Sequence, residues 1–195
     1  MSRVFLASRN AKKLAEMERI LREHLPSVEV LGLDDVAAYD EPVEDQPTFE
    51  GNALLKARAG LELTGLPTVA DDSGLCVDAL NGMPGVLSAR WSGPPRSDDR
   101  NNELLLAQLD DVPDERRGAH FTCAIAWVQP DGRERVVQGR MPGRIIREQR
   151  GSGGFGYDVV FVAVVLDPAE KDRISHRGRA LRELAPQVAA DLSGG

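Results

Sequence analysis

Four short stretches of this 195-residue chain gather polar and charged residues where an apolar run ends or a helical pattern begins. The first is Ser8-Arg9-Asn10-Ala11-Lys12-Lys13. A helix start offers backbone N–H groups and the positive end of a dipole, which suits a phosphate. Lys13, one turn in, can reach back to the same anion. An ordinary capped helix with surface lysines would contain the same residues. The second is Asp71-Asp72-Ser73-Gly74, read as the end of a short strand over 68–70. Adjacent carboxylates suit a hard divalent ion, with one of them orienting a water. Alternation along a strand sends the two to opposite faces, so only one faces a site. A turn with capping aspartates is the other reading. The third, Gly151-Ser152-Gly153-Gly154-Phe155-Gly156, formally matches Gly-x-Gly-x-x-Gly. A dinucleotide fold needs a helix after that turn, and Tyr157-Asp158-Val159-Val160 is strand-like instead. The glycines suit close approach of a planar group, with Phe155 available for stacking, or simply a tight loop. The fourth is Ser175-His176-Arg177-Gly178-Arg179. His and Arg in a first turn oppose the helix dipole, so another partner is expected to hold them there.

The elements that must carry these residues alternate. A strand is expected over 3–8 and a helix over 11–25, capped by Asn10, with Leu14, Met17, Leu21 and Leu25 on one face. Pro26 stops it, and 28–31 reads as a second strand. No Lys or Arg lies between Arg22 and Lys56, whereas Glu44 and eight other carboxylates do. Pro42 and Pro47 make this an acidic loop, solvated for the most part, with one or two residues available to a metal. Thr48 opens a helix that buries Phe49, Ala53, Ala57 and Leu61. A Glu at 51 would complete a capping box, but the residue is Gly, so Gly51→Glu is expected to stabilise this helix start. Ser97 or Asp98 caps a third helix to about 109. Two runs flanking Pro130-Asp131-Gly132 form a hairpin, and 143–148 extends the sheet. The apolar run 159–166 reads as a strand buried on both faces. A last helix follows Ser175, with Leu181, Leu184 and Val188 inward and a kink or restart at Pro186.

Composition bounds the rest. The formal net charge of −7 argues against a general nucleic-acid binder. Cys76 and Cys123 are too few and too far apart for a disulfide framework or zinc site, and read as two buried thiols in a reducing cytoplasm. No secretory signal opens the chain, and the longest apolar run, of eight residues, is far short of the ~20 a membrane helix needs. Without a repeat or linker, 1–195 reads as a single α/β domain with a mixed sheet. Walker A, Gly-x-Ser-x-Gly and His-Glu-x-x-His motifs are absent.

Taken in order, the sites resemble the inosine triphosphate pyrophosphatase family. The resemblance rests on Ser8-x-Asn10-x-x-Lys13, on Thr48-Phe49-x-x-Asn52-Ala53-x-x-Lys56-Ala57, and on Ala70-Asp71-Asp72-Ser73-Gly74-Leu75. Gly82-x-Pro84-Gly85 with Ser88-Ala89-Arg90, Gly153-Gly154-Phe155-Gly156-Tyr157-Asp158 and Ser175-His176-Arg177 complete it. It implies an elongated mixed β-sheet flanked by helices, two lobes with a cleft between them, and a cytoplasmic homodimer without nucleic-acid or membrane partners. It implies Mg²⁺-dependent hydrolysis of non-standard purine nucleoside triphosphates, ITP, dITP and XTP, to monophosphate and pyrophosphate. Ser8, Asn10, Lys13 and Lys56 would hold phosphates. Asp72 would bind the metal and accept the proton of the attacking water, and Glu44 would be a second metal carboxylate. Ser73 would touch substrate. Phe155, Gly156, Tyr157, Asp158, Lys171, Ser175, His176 and Arg177 would line the substrate site around the base.

Two positions depart from the family pattern: Arg9 stands where Gly is frequent, and Gly51 where Glu is frequent. Arg9 adds charge beside the phosphate site, and Gly51 removes a carboxylate from the helix start. A Maf-like pyrophosphatase for modified pyrimidine nucleotides is the neighbouring reading, and a non-catalytic nucleotide-binding module the more distant one.

Overall fold

The computed structural model describes residues 2–36, 40–151, 156–164 and 175–193. Its six strands form one mixed sheet in the order β2-β1-β3-β4-β5-β6. They are β1 (Arg3–Leu6), β2 (Glu29–Leu31), β3 (Thr68–Val77), β4 (Gly118–Val128), β5 (Glu134–Ile145) and β6 (Phe161–Ala163). The helices are α1 (Ala11–Arg22), α2 (Phe49–Thr64), α3 (Asp98–Gln108) and α4 (His176–Ser193). β1 runs parallel to β2, with Val4 opposite Val30, and to β3, with Leu6 opposite Val69. β5 and β6 are antiparallel, with Arg144 opposite Val162. The expected α/β class with a mixed sheet is what the chain adopts.

The chain divides into two compact units. The first comprises Met1–Asp72, Cys123–Gly139 and Arg177–Gly195. Its core joins Val4, Leu6 and Val69 on the sheet to Met17, Ile20 and Leu21 of α1 and to Leu181, Leu184 and Val188 of α4. Each of these side chains recurs at the period of its own element, so sheet and helices bury one continuous apolar surface. α2 comes very near β1 and β3: a Cβ at Gly60 would lie 2.8 Å from both Phe5 Cε1 and Thr68 Cγ2. The second unit comprises Ser73–Thr122 and Arg140–His176. It packs Leu75, Val77, Leu105, Leu109, Ala119, Ile145, Tyr157 and Val160 together. Arg117, 2% exposed, is built into this unit. Its guanidinium donates to the carbonyls of Leu109, Ile145 and Ile146 at 2.5–3.2 Å. A buried charge held by carbonyl dipoles is tolerable because each of its three nitrogens has a partner.

Four local expectations are corrected. β3 does not end at Ala70. It continues to Val77, so Asp71 and Asp72 sit in the middle of a ten-residue strand, not at its end or in a turn. Tertiary partners override the poor strand propensity of Asp-Asp-Ser-Gly. β6 is only three residues long and lies at the sheet edge, with Val162 43% and Val164 70% exposed; it is not a strand buried on both faces. Residues 165 and 166 of the expected strand lie outside the described residues. α1 ends at Arg22, before the expected 25. α4 runs through Pro186 without a restart. The two cysteines form no disulfide; Cys123 is buried as expected, whereas Cys76 is only half-buried.

Candidate active site

β3 sends its two central carboxylates to opposite faces, as strand geometry requires. On one face Asp71 is buried. Lys13 Nζ donates to both of its oxygens at 2.8 Å. Arg177 Nε donates to its Oδ2 at 3.4 Å. Cys123 Sγ lies 3.9 Å from its Oδ2, and the small cavity that Asp71 lines with Lys13 and Arg177 is otherwise apolar: Leu6, Met17, Val69, Ile125 and Leu181. Such burial would drive the carboxyl pKa up. The Lys13 and Arg177 charges outweigh it and hold Asp71 well below the usual carboxylate range. Burial likewise opposes the Arg177 charge, and Asp71, Cys123 and Glu16 reverse this, so its pKa ends above the ordinary value. α1 and α4 each deliver one cation to the strand between them.

On the other face Asp72 meets a second group. Asn52 Nδ2 donates to its Oδ2 at 3.0 Å, and Lys56 Nζ stands 3.7 Å from its Oδ1. Lys56 donates to Glu44 Oε1 at 2.5 Å. Asn52 is fully buried, and its Oδ1 accepts from the Gln46 N–H at 3.0 Å, which fixes the amide orientation. Burial raises the Asp72 pKa above the ordinary value, and neighbouring Glu44 and Asp71 add to it; Lys56 and the Asn52 hydrogen bond counter it only in part. Lys56 loses affinity for its proton through burial but regains more from Asp72 and Glu44, so its pKa is raised. One ammonium thus stands between two carboxylates. Two hard oxygen donors fit Mg²⁺, which keeps several waters and uses one or two carboxylates. Among the described residues, no group of three or more His, Cys, Asp or Glu forms a ready-made cage. A metal here would need ligands from a bound substrate.

At the start of α1, Asn10 Oδ1 accepts from the N–H groups of Lys12 and Lys13 at 3.0 and 3.3 Å. Ser8 Oγ accepts the Asn10 N–H at 3.2 Å. The cap therefore occupies two of the amides expected to face a phosphate. Ser8 and Asn10 line a cavity of about 200 Å³ whose other wall carries Asp34 and Asp35. Arg9 turns to this acidic loop, donating to Glu41 at 3.0 Å and lying 3.7 Å from Asp34. Gly51 gives its N–H to Thr48 Oγ1 at 3.1 Å, so the helix is capped without a capping box.

The remaining expected site residues belong to the second unit. Ser73 follows Asp72 directly on β3. Tyr157 is a core residue, its hydroxyl donating to the Ser88 carbonyl at 2.9 Å. Burial, with the Asp98 charge, drives its pKa far above the ordinary range. Asp158 is exposed beside it, and Gly156 adopts φ +61°. His176 stacks on Phe121 with centroids 5.2 Å apart and planes 16° apart. Ser175 immediately precedes it. Phe155 and Lys171 lie outside the described residues.

Sequence reasoning therefore foresaw the residues of both clusters but missed two partners. Asp71 is the meeting point of Lys13 and Arg177, and Asn52 steers Asp72. The signal for Asn52 was available: it stands four residues before Lys56, on the same face of α2.

The Ham1 family model matches residues 4–187. A dITP/XTP pyrophosphatase of Nocardia farcinica is 62% identical over 198 residues, covering 97% of this chain and 96% of its own. One from Mycolicibacterium paratuberculosis is 58% identical and covers 96% of each. A solved nucleoside-triphosphatase / dITP/XTP pyrophosphatase from Mycobacterium abscessus is 55% identical, covers 94% of this chain and 99% of its own, and superposes with a TM-score of 0.80. The Staphylococcus aureus Ham1 protein shares 34% identity with a TM-score of 0.85, covering 97% of this chain and 100% of its own. Six motif elements in register, a mixed sheet of matching topology and near-full-length identity agree, and the chain belongs to the Ham1 family.

Proposed function

We propose that this protein hydrolyses non-standard purine nucleoside triphosphates, dITP, XTP and ITP, to the monophosphate and pyrophosphate in a Mg²⁺-dependent reaction. The carrying observation is the Glu44–Lys56–Asp72–Asn52 cluster in a chain 62% identical to a protein named for that activity. A triphosphate carries about four negative charges, so an acidic protein needs local cations to hold it. Lys56 supplies one of these, and Lys13, paired with Asp71, another. Asp72 and Glu44 would hold Mg²⁺, which would supply positive charge to offset that of the phosphates. Water adds at phosphorus, the anhydride between the α- and β-phosphates breaks, and Asp72 takes the water's proton. Burial makes Asp72 a better base than an exposed carboxylate, and the Asn52 amide fixes its orientation. The lysines stabilise charge developing on the departing pyrophosphate.

Around the base, Asp158, Ser175, His176 and Arg177 border the purine. Donors aimed at a 6-oxo oxygen are left unpaired by the amino group of adenine, which discriminates strongly. The reading includes a cytoplasmic homodimer, which light scattering checks; no helix among the described residues is long and apolar enough to cross a membrane. Pyrophosphate release over dITP, XTP, ITP, dATP, dGTP and a modified UTP, with and without Mg²⁺, tests the whole. Turnover confined to the first three and dependent on Mg²⁺ is expected. Preference for the pyrimidine, or no release at all, overturns the reading.

A further inference from the structure

Two side chains of α3 close on a single residue far along the chain. Asp98 Oδ2 accepts the Gly156 N–H at 2.7 Å. Asn102 Nδ2 donates to the Gly156 carbonyl at 2.9 Å. Residues four apart share a helix face, so both backbone groups of Gly156 are taken by one face of α3. The same Asn102 amide also donates to the Asp98 carbonyl at 2.9 Å, which ties the two halves together. Gly156 has φ +61°, one of several backbone conformations open to glycine, so these hydrogen bonds select it. The next residue is fixed independently: Tyr157 is buried and its hydroxyl donates to Ser88. Asp158 then follows at the surface. Asn102 is 1% exposed, and its Oδ1 meets no donor among the described residues. An unmet buried acceptor is a cost that a helix face packed for stability alone would not carry.

We propose that Asp98 and Asn102 are positioning residues that clamp the Gly156 peptide groups and so present Asp158, two residues on, to the purine base in one geometry. The proposal rests on the reading that Asp158 borders the base. Neither clamp residue touches the nucleotide; each acts through the backbone it holds, where small displacements cost binding and orientation.

The test uses the full chain with Asp98→Ala, Asp98→Asn and Asn102→Ala, each checked by thermal melting. Asp98 is exposed, so its variants keep the test open should Asn102→Ala fail to fold. Both alanine variants are expected to raise KM for dITP at least about fivefold with kcat within about twofold of wild type, and to narrow the preference for dITP over dATP. Asp98→Asn keeps an oxygen acceptor and should recover most of the loss. Inhibition by pyrophosphate, which has no base, should be unchanged. Equal weakening of dITP and pyrophosphate, or unaltered KM in both alanine variants, overturns the clamp. A wild-type enzyme that treats dITP, XTP and dATP alike removes the functional reading, not the clamp. Amide hydrogen exchange decides in that case: faster exchange at Gly156 in Asp98→Ala supports it, and unchanged exchange overturns it.

Discussion

Asp72 has the Asn52 amide on one oxygen and the Lys56 ammonium beyond the other, yet burial leaves its pKa above the ordinary carboxylate value. A base of that kind works only when ionised, so kcat/KM should fall as pH drops through the raised value. Asp72→Asn should remove the base and one metal ligand together, lowering turnover by at least about a thousandfold at saturating Mg²⁺, within the range expected for general-base loss. Near-normal activity in that variant would show that another group accepts the proton. Arg177 poses a different question, because its Nε is committed to Asp71 and its Nη1 stands 4.0 Å from Glu16. The rest of the guanidinium can still donate to a 6-oxo oxygen, as its fork geometry allows. Arg177→Ala should lower kcat/KM for dITP at least about tenfold, roughly 1.4 kcal/mol, with dATP hydrolysis nearly unchanged. Equal fractional loss on dITP, XTP and dATP would assign Arg177 to the phosphates.

At the scale of the elements, the helix starts were legible and the strands less so. Asn10, Thr48 and Ser97 all cap the helices that their sequences announce, because a short polar side chain before an apolar stripe has one dominant use. β3 was not legible through Asp71–Gly74, since its residues favour turns and only distant cations and an amide make them a strand. The 159–166 run misled in the opposite sense: apolar residues can line an exposed edge when only one neighbour pairs with them. Likewise, which partners Lys13 and Arg177 take is set by a carboxylate fifty-eight and one hundred and six positions away, beyond the reach of any local pattern. Position 51 is a case where the local rule gives the wrong sign. A Cβ there would lie 2.8 Å from Gln46 Cβ, and Gln46 is fixed because its N–H donates to Asn52. Gly51→Glu should therefore lower the melting temperature instead of raising it, by roughly 1–3 kcal/mol of overpacking. A higher melting temperature would mean that the loop before α2 yields. Gly60→Ala should cost a similar amount by wedging α2 off Phe5 and Thr68.

For the molecule as a whole, the two adjacent carboxylates pull the pH dependence of stability in opposite directions. Asp71 in the folded chain lies well below its unfolded value of about 3.9. The stability it adds is therefore fully present above that value and is lost as pH falls toward its folded pKa. Asp72 is raised on folding, so between its unfolded and folded values the native state holds the extra proton, and stability declines as pH rises through that window. Above those windows Asp71 adds to stability, while an ionised Asp72 subtracts from it, a cost that the active site imposes. Asp71→Asn should then strip the charge from a buried pair and leave Lys13 and Arg177 facing each other, a loss of roughly 3 kcal/mol or more. For a chain of this length that is a fall of about 6–12 °C in melting temperature. The deficit should shrink below about pH 4, where the unfolded wild-type chain takes up a proton that the folded Asp71 does not. Asp72→Asn should instead melt higher than wild type at pH 7 in the presence of a chelator, with the gain vanishing toward pH 4. Adding Mg²⁺ should reverse that order by stabilising the folded wild type alone, because only it keeps both carboxylates for the ion. Melting curves of the three proteins from pH 3 to 8, with chelator and with Mg²⁺, check all of this. Parallel curves for the two variants would mean that their environments are not opposed, and an equal Mg²⁺ response in wild type and Asp72→Asn would remove Asp72 from the metal site.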